Sequence, residues 1–203
     1  MNSQKDTYYT IDKASQEVIF KDKGSKFIAY AFPVISKEEI KKQIDILKKK
    51  HYNARHWCYA WQLGKLYSTY RISDDGEPTN SAGAPIYGQI KSFELTNVLV
   101  VVVRYFGGTK LGVGRLIQAY KITAKMALEV SKVIKKTIND IFLVKFYYPE
   151  MNKVMRIIKD EKILVKNQKM GIDCIIIISV RRKEAARIFN IFENTYKVSI
   201  NKI

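Results

Sequence analysis

A group of carboxylates is the first candidate for chemistry in this sequence. Asp74, Asp75 and Glu77 fall within four residues, in the segment 73–78. Clustered carboxylate oxygens are the ligands that hard cations such as Ca²⁺ prefer. The spacing is not that of an EF-hand loop, however, and Gly76 and Pro78 are typical of a capped turn. We therefore predict a structural turn or a surface recognition loop here, and no metal site.

Glycines and cations are concentrated in a second segment, between a run of valines and a predicted helix. Glycine lets the backbone turn tightly and approach a ligand, and a helix N-terminus favours an anion. The spacing matches neither a Walker A loop nor a dinucleotide fingerprint, so nucleotide hydrolysis is poorly supported. An RNA phosphate or another anion is one interpretation, and close strand–helix packing is the other. The residues predicted for such an anion site are Arg104, Gly107, Gly108, Lys110, Gly112, Gly114 and Arg115.

Aromatic residues alternate with smaller ones along the segment 52–61. On a strand, Trp57, Tyr59 and Trp61 share one face, and His56 and Cys58 share the other. Aromatic rings beside cations can stack bases and contact phosphates, although one of the two faces must belong to the core. A catalytic pair of Cys58 and His56 lacks an orienting acid and an oxyanion hole. We therefore predict no catalytic residue.

The two cysteines, Cys58 and Cys174, are far apart in the sequence and form no CxxC pair. With only two histidines in the chain, these groups are too few and too scattered for a zinc site or a disulfide framework. Free cysteines are among the most buried residue types. We predict two buried structural thiols and no cofactor.

Charge is the strongest compositional feature. The chain has 36 lysines and arginines against 19 acidic residues, a net charge of +17. Such an excess attracts phosphate polyanions, so RNA or the ribosome is the expected partner. The alternative is a lysine-rich surface that serves solubility. Both parts of the chain, 1–136 and 137–203, are net basic, so charge does not assign the partner to one of them.

Apolar periodicity predicts a soluble protein with two α+β domains. The longest apolar runs have the length of strands, not of a membrane span, and the N-terminus lacks the apolar core of a secretory signal, so we expect a cytoplasmic protein and no membrane contact. Strands are predicted at 17–20, 27–34, 57–63, 65–72 and 98–103. A helix follows the capping box that begins at Ser36, a second follows Gly114, and the segment 73–88 shows turn chemistry without a core pattern.

From about residue 139 the pattern starts again, in the order β-α-β-β-α-β, which is the plan of a ferredoxin-like domain. Lys132, Lys135 and Lys136 interrupt the apolar periodicity just before it. We therefore place the domain boundary there and predict domains at 1–136 and 137–203.

Several segments resemble the motifs of the IMPACT/YigZ family, in the family's order along the chain. They are 53–56 (Asn-Ala-Arg-His), 73–78 (Ser-Asp-Asp-Gly-Glu-Pro), Ala82-Gly83, and 104–108 (Arg-Tyr-Phe-Gly-Gly) followed by Leu111-Gly112. The resemblance implies a first domain like ribosomal protein S5 domain 2. It implies a ferredoxin-like second domain similar to the last domain of translocase-type elongation factors. The motif residues expected on a surface loop are Arg55, His56, Asp74, Asp75, Gly76, Glu77 and Pro78.

The resemblance also implies a function. Eukaryotic relatives restrain a starvation-sensing translation kinase by competing for its activator, and no catalytic residue is established for the family. We therefore expect a non-enzymatic RNA- or ribosome-associated protein, a regulator of translation under stress. Two alternatives stay open: a protein-interaction module that competes for a regulatory partner, and an enzyme that uses Asp74, Asp75, Glu77 and Arg104.

Overall fold

The computed structural model describes residues 6–203. They divide into two compact units, one comprising Tyr8–Lys136 and the other Thr137–Ile203 with the N-terminal residues as far as Thr7. The elements of the first part of the chain are β1 (Thr7–Ile11), β2 (Val18–Asp22), β3 (Ser25–Pro33), α1 (Lys37–Lys50), β4 (His56–Leu63), β5 (Thr69–Ser73), α2 (Gly83–Ser92), β6 (Val98–Tyr105), α3 (Val113–Glu129) and β7 (Val133–Thr137).

The larger unit is built on a five-stranded antiparallel sheet with the strand order β2-β3-β6-β4-β5. Strand β6 lies at its centre, and its valines are buried on both faces. Helices α2 and α3 pack on one face, against residues such as Phe27, Cys58 and Val102. Helix α1 packs on the other face, against Ile28 and Val101. Strands β1 and β7, which the sequence did not predict, form a separate pair.

Helix α1 begins where the sequence predicted it. The Ser36 hydroxyl accepts a hydrogen bond from the Glu39 backbone N–H at 3.2 Å, and the Glu39 carboxylate accepts one from Ile35 N–H at 2.8 Å. These bonds satisfy amide groups that have no partner inside the helix. Ile40 and Leu47, seven positions apart on one face, are the buried residues that fix the helix to the sheet.

The sequence prediction is wrong for the end of the segment 73–88, to which it gave turn chemistry throughout, because this part belongs to helix α2. The helix begins at Gly83, and Pro85 falls in its first turn, where a missing N–H costs nothing. Its buried residues include Ile86 and Ile90, one helical turn apart. The predicted strand at 65–72 is also shorter, since β5 begins at Thr69 after a turn in which Gly64 and Tyr67 have positive φ.

The smaller unit has the ferredoxin-like plan that the sequence predicted. Its strands occur in the spatial order β11-β8-β10-β9 with antiparallel pairing, and its two helices share one apolar core with them. The α+β fold class is therefore confirmed. No helix of residues 6–203 is long and apolar enough to cross a membrane. The elements are β8 (Asn139–Tyr147), a 3-10 turn (Tyr148–Glu150), α4 (Met151–Asp160), β9 (Leu164–Lys169), β10 (Asp173–Arg181), α5 (Arg182–Glu193) and β11 (Val198–Lys202).

A chain of hydrogen bonds runs beneath the C-terminal end of α1. The His51 ring lies between two phenols, with Nε2 2.7 Å from the Tyr30 hydroxyl and Nδ1 3.0 Å from the Tyr105 hydroxyl. Tyr30 in turn donates to the Glu17 carboxylate, which also accepts from Lys50 at 2.9 Å. Burial, and then the charge of Lys50, lower the pKa of His51. A neutral imidazole suits this position, because one ring nitrogen can accept while the other donates.

This arrangement predicts a loss of stability in mild acid. His51 resists protonation in the folded state, whereas in the unfolded chain it takes up a proton near its ordinary pKa of 6.5. The free energy of unfolding should therefore fall as pH drops below about 6.5, by at most about 1.4 kcal/mol per pH unit. Urea denaturation at pH 7, 6 and 5 measures the slope, and His51→Gln should flatten it. An equally steep slope in the variant would contradict this role.

Candidate functional site

Glu77 lies at the centre of a buried polar cluster in the larger unit. Its side chain is 3% exposed. One carboxylate oxygen, Oε1, accepts hydrogen bonds from Arg104 Nη1 at 2.7 Å and from the Tyr120 hydroxyl at 2.8 Å. His56 Nε2 lies 3.9 Å from the same oxygen. The buried carboxylate and the buried guanidinium therefore neutralise each other, and Glu77 does not belong to a surface loop as the sequence predicted.

The sheet positions Arg104 for this pairing. It is the penultimate residue of β6 and lies in register with Phe27 on β3 and His56 on β4. Its guanidinium carbon lies 5.5 Å from the centre of the Phe27 ring and 5.6 Å from that of Phe106. The residue is 4% exposed, so its charged end cannot contact a phosphate at the surface. The prediction that Arg104 binds an anion there is corrected by this burial.

Asp74 caps helix α2 from a distance in the sequence. Its Oδ1 accepts from Ala82 N–H at 3.0 Å and from Gly83 N–H at 2.8 Å, and its Oδ2 accepts from Asn80 N–H at 2.9 Å. The helix has no side-chain cap of its own, because Ala82 occupies the cap position. A carboxylate at a helix N-terminus is favourable for the helix dipole. The oxygens of Asp74 are thus engaged by backbone amides.

Asp75 and His56 join the loop to β4. The Asp75 carboxylate accepts a hydrogen bond from Trp57 N–H at 2.7 Å, and the backbone carbonyl oxygen of Asp75 lies 2.8 Å from His56 Nδ1. Because a carbonyl only accepts, Nδ1 carries the proton, and Nε2 faces Glu77. Gly76, which stands between Asp75 and Glu77 in the chain, has φ +85°, a conformation that favours glycine. Among residues 6–203, no group of three acids, histidines or cysteines is arranged to hold a metal ion.

Cys58 is buried beside this network. Its sulfur lies 2.9 Å from the Asp74 carbonyl oxygen and 3.3 Å from the Tyr120 hydroxyl. Burial raises the pKa of the Cys58 thiol, and it also raises the pKa of Tyr120. The thiol therefore stays protonated, and a protonated thiol is not a nucleophile. Both cysteines of the chain are free and buried, as the sequence predicted.

The glycine-rich segment divides into packed and open positions. Gly107 packs against the backbone of Gly24, where an added Cβ would collide, and its N–H bonds to the Ser25 hydroxyl at 3.2 Å. Gly108 and Gly112 have positive φ, and Gly112 is the cap residue of α3. Gly114 has open space around it. Close packing thus accounts for Gly107, and turn geometry accounts for the next two glycines.

The cations of that segment have different environments. Arg115 pairs with Asp22 through two bonds, at 2.9 and 3.2 Å, which raises the pKa of Arg115 and lowers that of Asp22. Lys110 is exposed and has no ion pair within residues 6–203. Of the three cations predicted for an anion site, Lys110 alone is exposed without a counter-ion among those residues.

The remaining motif residues lie at the edge of the network. Arg55 is exposed, and its N–H bonds to the Arg104 carbonyl oxygen at 3.1 Å. Pro78 is also exposed, and its carbonyl accepts from the Ser81 hydroxyl at 2.6 Å. Sequence reasoning missed Tyr120, which lies on α3. The only signal was a phenol hydroxyl among apolar residues of the helix predicted after Gly114, and the direction of that hydroxyl is not readable from spacing.

The structure defines a two-unit α+β protein whose larger unit encloses a Glu–Arg–Tyr network. Residues 23–128 match the family described as "Impact N-terminal domain". "IMPACT family member YvyE" of Bacillus subtilis is 32% identical over 79% of this chain and 73% of its own length. An "IMPACT family member" of Haemophilus influenzae is 29% identical over 86% of each chain. The chain belongs to the IMPACT family.

One solved structure has the same fold over almost the whole chain. It is described as "Crystal structure of an hypothetical protein" and covers 98% of this chain and 98% of its own, with a TM-score of 0.73 and 22% identity. That likeness shows the fold alone. The structure of the "two-domain translational regulator Yih1" is 31% identical over 58% of this chain and 45% of its own, but its TM-score of 0.37 is too low to carry an argument.

Proposed function

We propose that the chain is a non-enzymatic, RNA- or ribosome-associated protein of the cytoplasm that regulates translation. The observation that carries this proposal is the excess of exposed cations without counter-ions. The net charge is +17, and helix α1 alone exposes Lys37, Lys41, Lys42, Lys48 and Lys49, none of which forms an ion pair within residues 6–203. Unpaired surface cations release counter-ions from a polyphosphate and so favour RNA binding.

The internal network supports the non-enzymatic part of the proposal. Glu77 and Arg104 pair with each other, and the oxygens of Asp74 accept backbone amides. An enzyme would need these groups to be free at an open site. In this structure they hold the loop and α2 in place instead. The geometry therefore disfavours the alternative of an enzyme that uses this cluster.

RNA binding should depend steeply on salt. Each phosphate contact with single-stranded RNA contributes about 0.7 to the slope of log K against log salt. We expect fluorescence anisotropy with a labelled RNA decamer to give a slope of about −3 or steeper between 50 and 200 mM KCl. Lys41→Gln should reduce the size of the slope by about 0.7, the contribution of one phosphate contact. Absence of binding at 50 mM KCl, or binding that does not respond to salt, would refute the proposal.

Ribosomes provide the second measurement. We expect the protein to sediment with ribosomes at low salt and to be released by nuclease. A partner that stays bound after nuclease treatment, with no affinity for RNA, would instead support the protein-interaction module. The two experiments together separate the leading proposal from that alternative.

A further inference from the structure

A groove lies between helix α1 and strands β4 and β5, on the face of the sheet opposite α2 and α3. Its volume is about 600 Å³, within the range of roughly 300–1,000 Å³ that small-ligand sites occupy. All of its lining residues belong to the larger unit. The elements that form it are a lysine-rich helix on one side and an edge strand on the other.

Cations line both sides of this groove. Lys37, Lys41 and Lys48 occupy positions i, i+4 and i+11 of α1, which fall on one side of a helix. Arg71 lies across from them on β5. All four are exposed, and none forms an ion pair in the described part of the chain. The single carboxylate of the lining, Asp75, already accepts a hydrogen bond from Trp57 N–H.

Aromatic rings form the floor between these cations. Tyr59 and Trp61 alternate on β4 and therefore point to the same face of the sheet. Trp61 lies in register with Arg71. Trp57, one step further along that face, has Lys48 Nζ 5.6 Å from its ring centre. Trp61 is only 5% exposed, whereas Tyr59 is half-buried and lines the groove, so Tyr59 is the ring that can stack on a ligand.

This combination favours one kind of occupant. Single-stranded nucleic acids bind where cations follow the backbone and aromatic side chains stack on the bases. A duplex hides its bases from such a floor, and an acidic peptide would use the cations but leave the aromatic rings without stacking partners. The charge of the groove opposes a basic partner.

We propose that this groove binds a segment of single-stranded RNA, with phosphates on Lys41, Lys48 and Arg71 and a base on Tyr59. The inference rests on the proposed function and names the site that performs it. It assigns binding to the face of the sheet opposite the Glu77 network. Lys41, Lys48 and Arg71 are exposed and Tyr59 is half-buried. Substitution of these four residues therefore leaves the buried ion pair of the Glu77 network in place.

Helix α1 offers a matched pair of variants for the test. Lys41→Gln/Lys48→Gln removes two cations of the groove. Lys42→Gln/Lys49→Gln removes two exposed cations of the same helix at the same spacing, turned about 100° away and outside the lining. The probe is a labelled uridine decamer at 50 mM KCl. We expect the first pair to lose roughly tenfold in affinity and the second less than threefold. Tyr59→Leu should lose about fivefold with the charge unchanged.

Tryptophan fluorescence provides an independent readout, because the two tryptophans of the chain are Trp57 and Trp61. Titration with the decamer should change their emission saturably, with the same Kd as the anisotropy. Uridine monophosphate, a double-stranded RNA of equal length and a glutamate decapeptide should each bind at least tenfold more weakly than the single strand.

The outcomes separate the two proposals. If the wild-type protein does not bind the decamer, the proposed function fails and the groove with it. If it binds but both lysine pairs weaken it equally, RNA binding stands and the groove assignment is overturned. If the glutamate peptide binds as tightly as the single strand, the groove is a site for an acidic protein segment, which also overturns the assignment.

Discussion

Replacing Glu77 with glutamine is expected to lower the free energy of unfolding by about 3–5 kcal/mol. The substitution leaves the guanidinium of Arg104, which is 4% exposed, without its counter-ion. Removing one partner of a buried ion pair carries a cost of this size because the other charge stays buried and uncompensated. Urea denaturation at pH 7, followed by circular dichroism, measures the change.

The double variant Glu77→Gln/Arg104→Met is the control for this prediction. It removes both charges, keeps the net charge of the chain unchanged, and retains an amide oxygen that can accept from Tyr120. Replacing both members of a buried pair is often close to neutral. We expect it to recover most of the stability lost in the single variant. A single variant as stable as the wild type would contradict the structural role of Glu77.

Replacing Asp74 with alanine is expected to cost about 2–4 kcal/mol. The substitution removes the acceptor for three backbone N–H groups, those of Asn80, Ala82 and Gly83. Loss of a helix cap costs about 0.5–2 kcal/mol, and each amide bonded to a charged acceptor adds to it. Chemical denaturation of the alanine variant gives the value directly.

Asp74→Asn provides the graded comparison, because it keeps one oxygen for the two amides at the start of α2. We expect it to retain about half of the stability that alanine loses. An alanine variant of normal stability, combined with saturable Ca²⁺ or Mg²⁺ binding by the wild type that the variant lacks, would show that Asp74 is a metal ligand instead.

The fold of the smaller unit was predictable from the sequence because its periodicity is strong. Its strands and helices alternate in period, and a change of period marks each boundary. Helix α2 was not predictable in the same way. Its first turn contains Pro85 and small residues that also suit a loop, and its cap is Asp74, nine residues before Gly83. A cap this far away leaves no local signature.

The candidate site was only partly predictable, for a related reason. The sequence singled out Asp74, Glu77 and Arg104, and in the structure each of them is held by hydrogen bonds inside the larger unit. It could not give their direction, because Glu77 and Arg104 are 27 positions apart and meet only when β6 lies beside β4. Charged residues in turn-like or glycine-rich segments usually face solvent, and that expectation failed here because each supplies the counter-ion of the other.

We propose that the Glu77 network holds the fold while RNA binds in the groove beside α1, and the double variant Glu77→Gln/Arg104→Met separates these two roles. The measurement is its affinity for the uridine decamer at 50 mM KCl, after cooperative unfolding has shown that it is folded. We predict an affinity within twofold of the wild type. A folded double variant that loses tenfold or more in affinity would show that Glu77 and Arg104 serve RNA binding itself, and would overturn this division of roles.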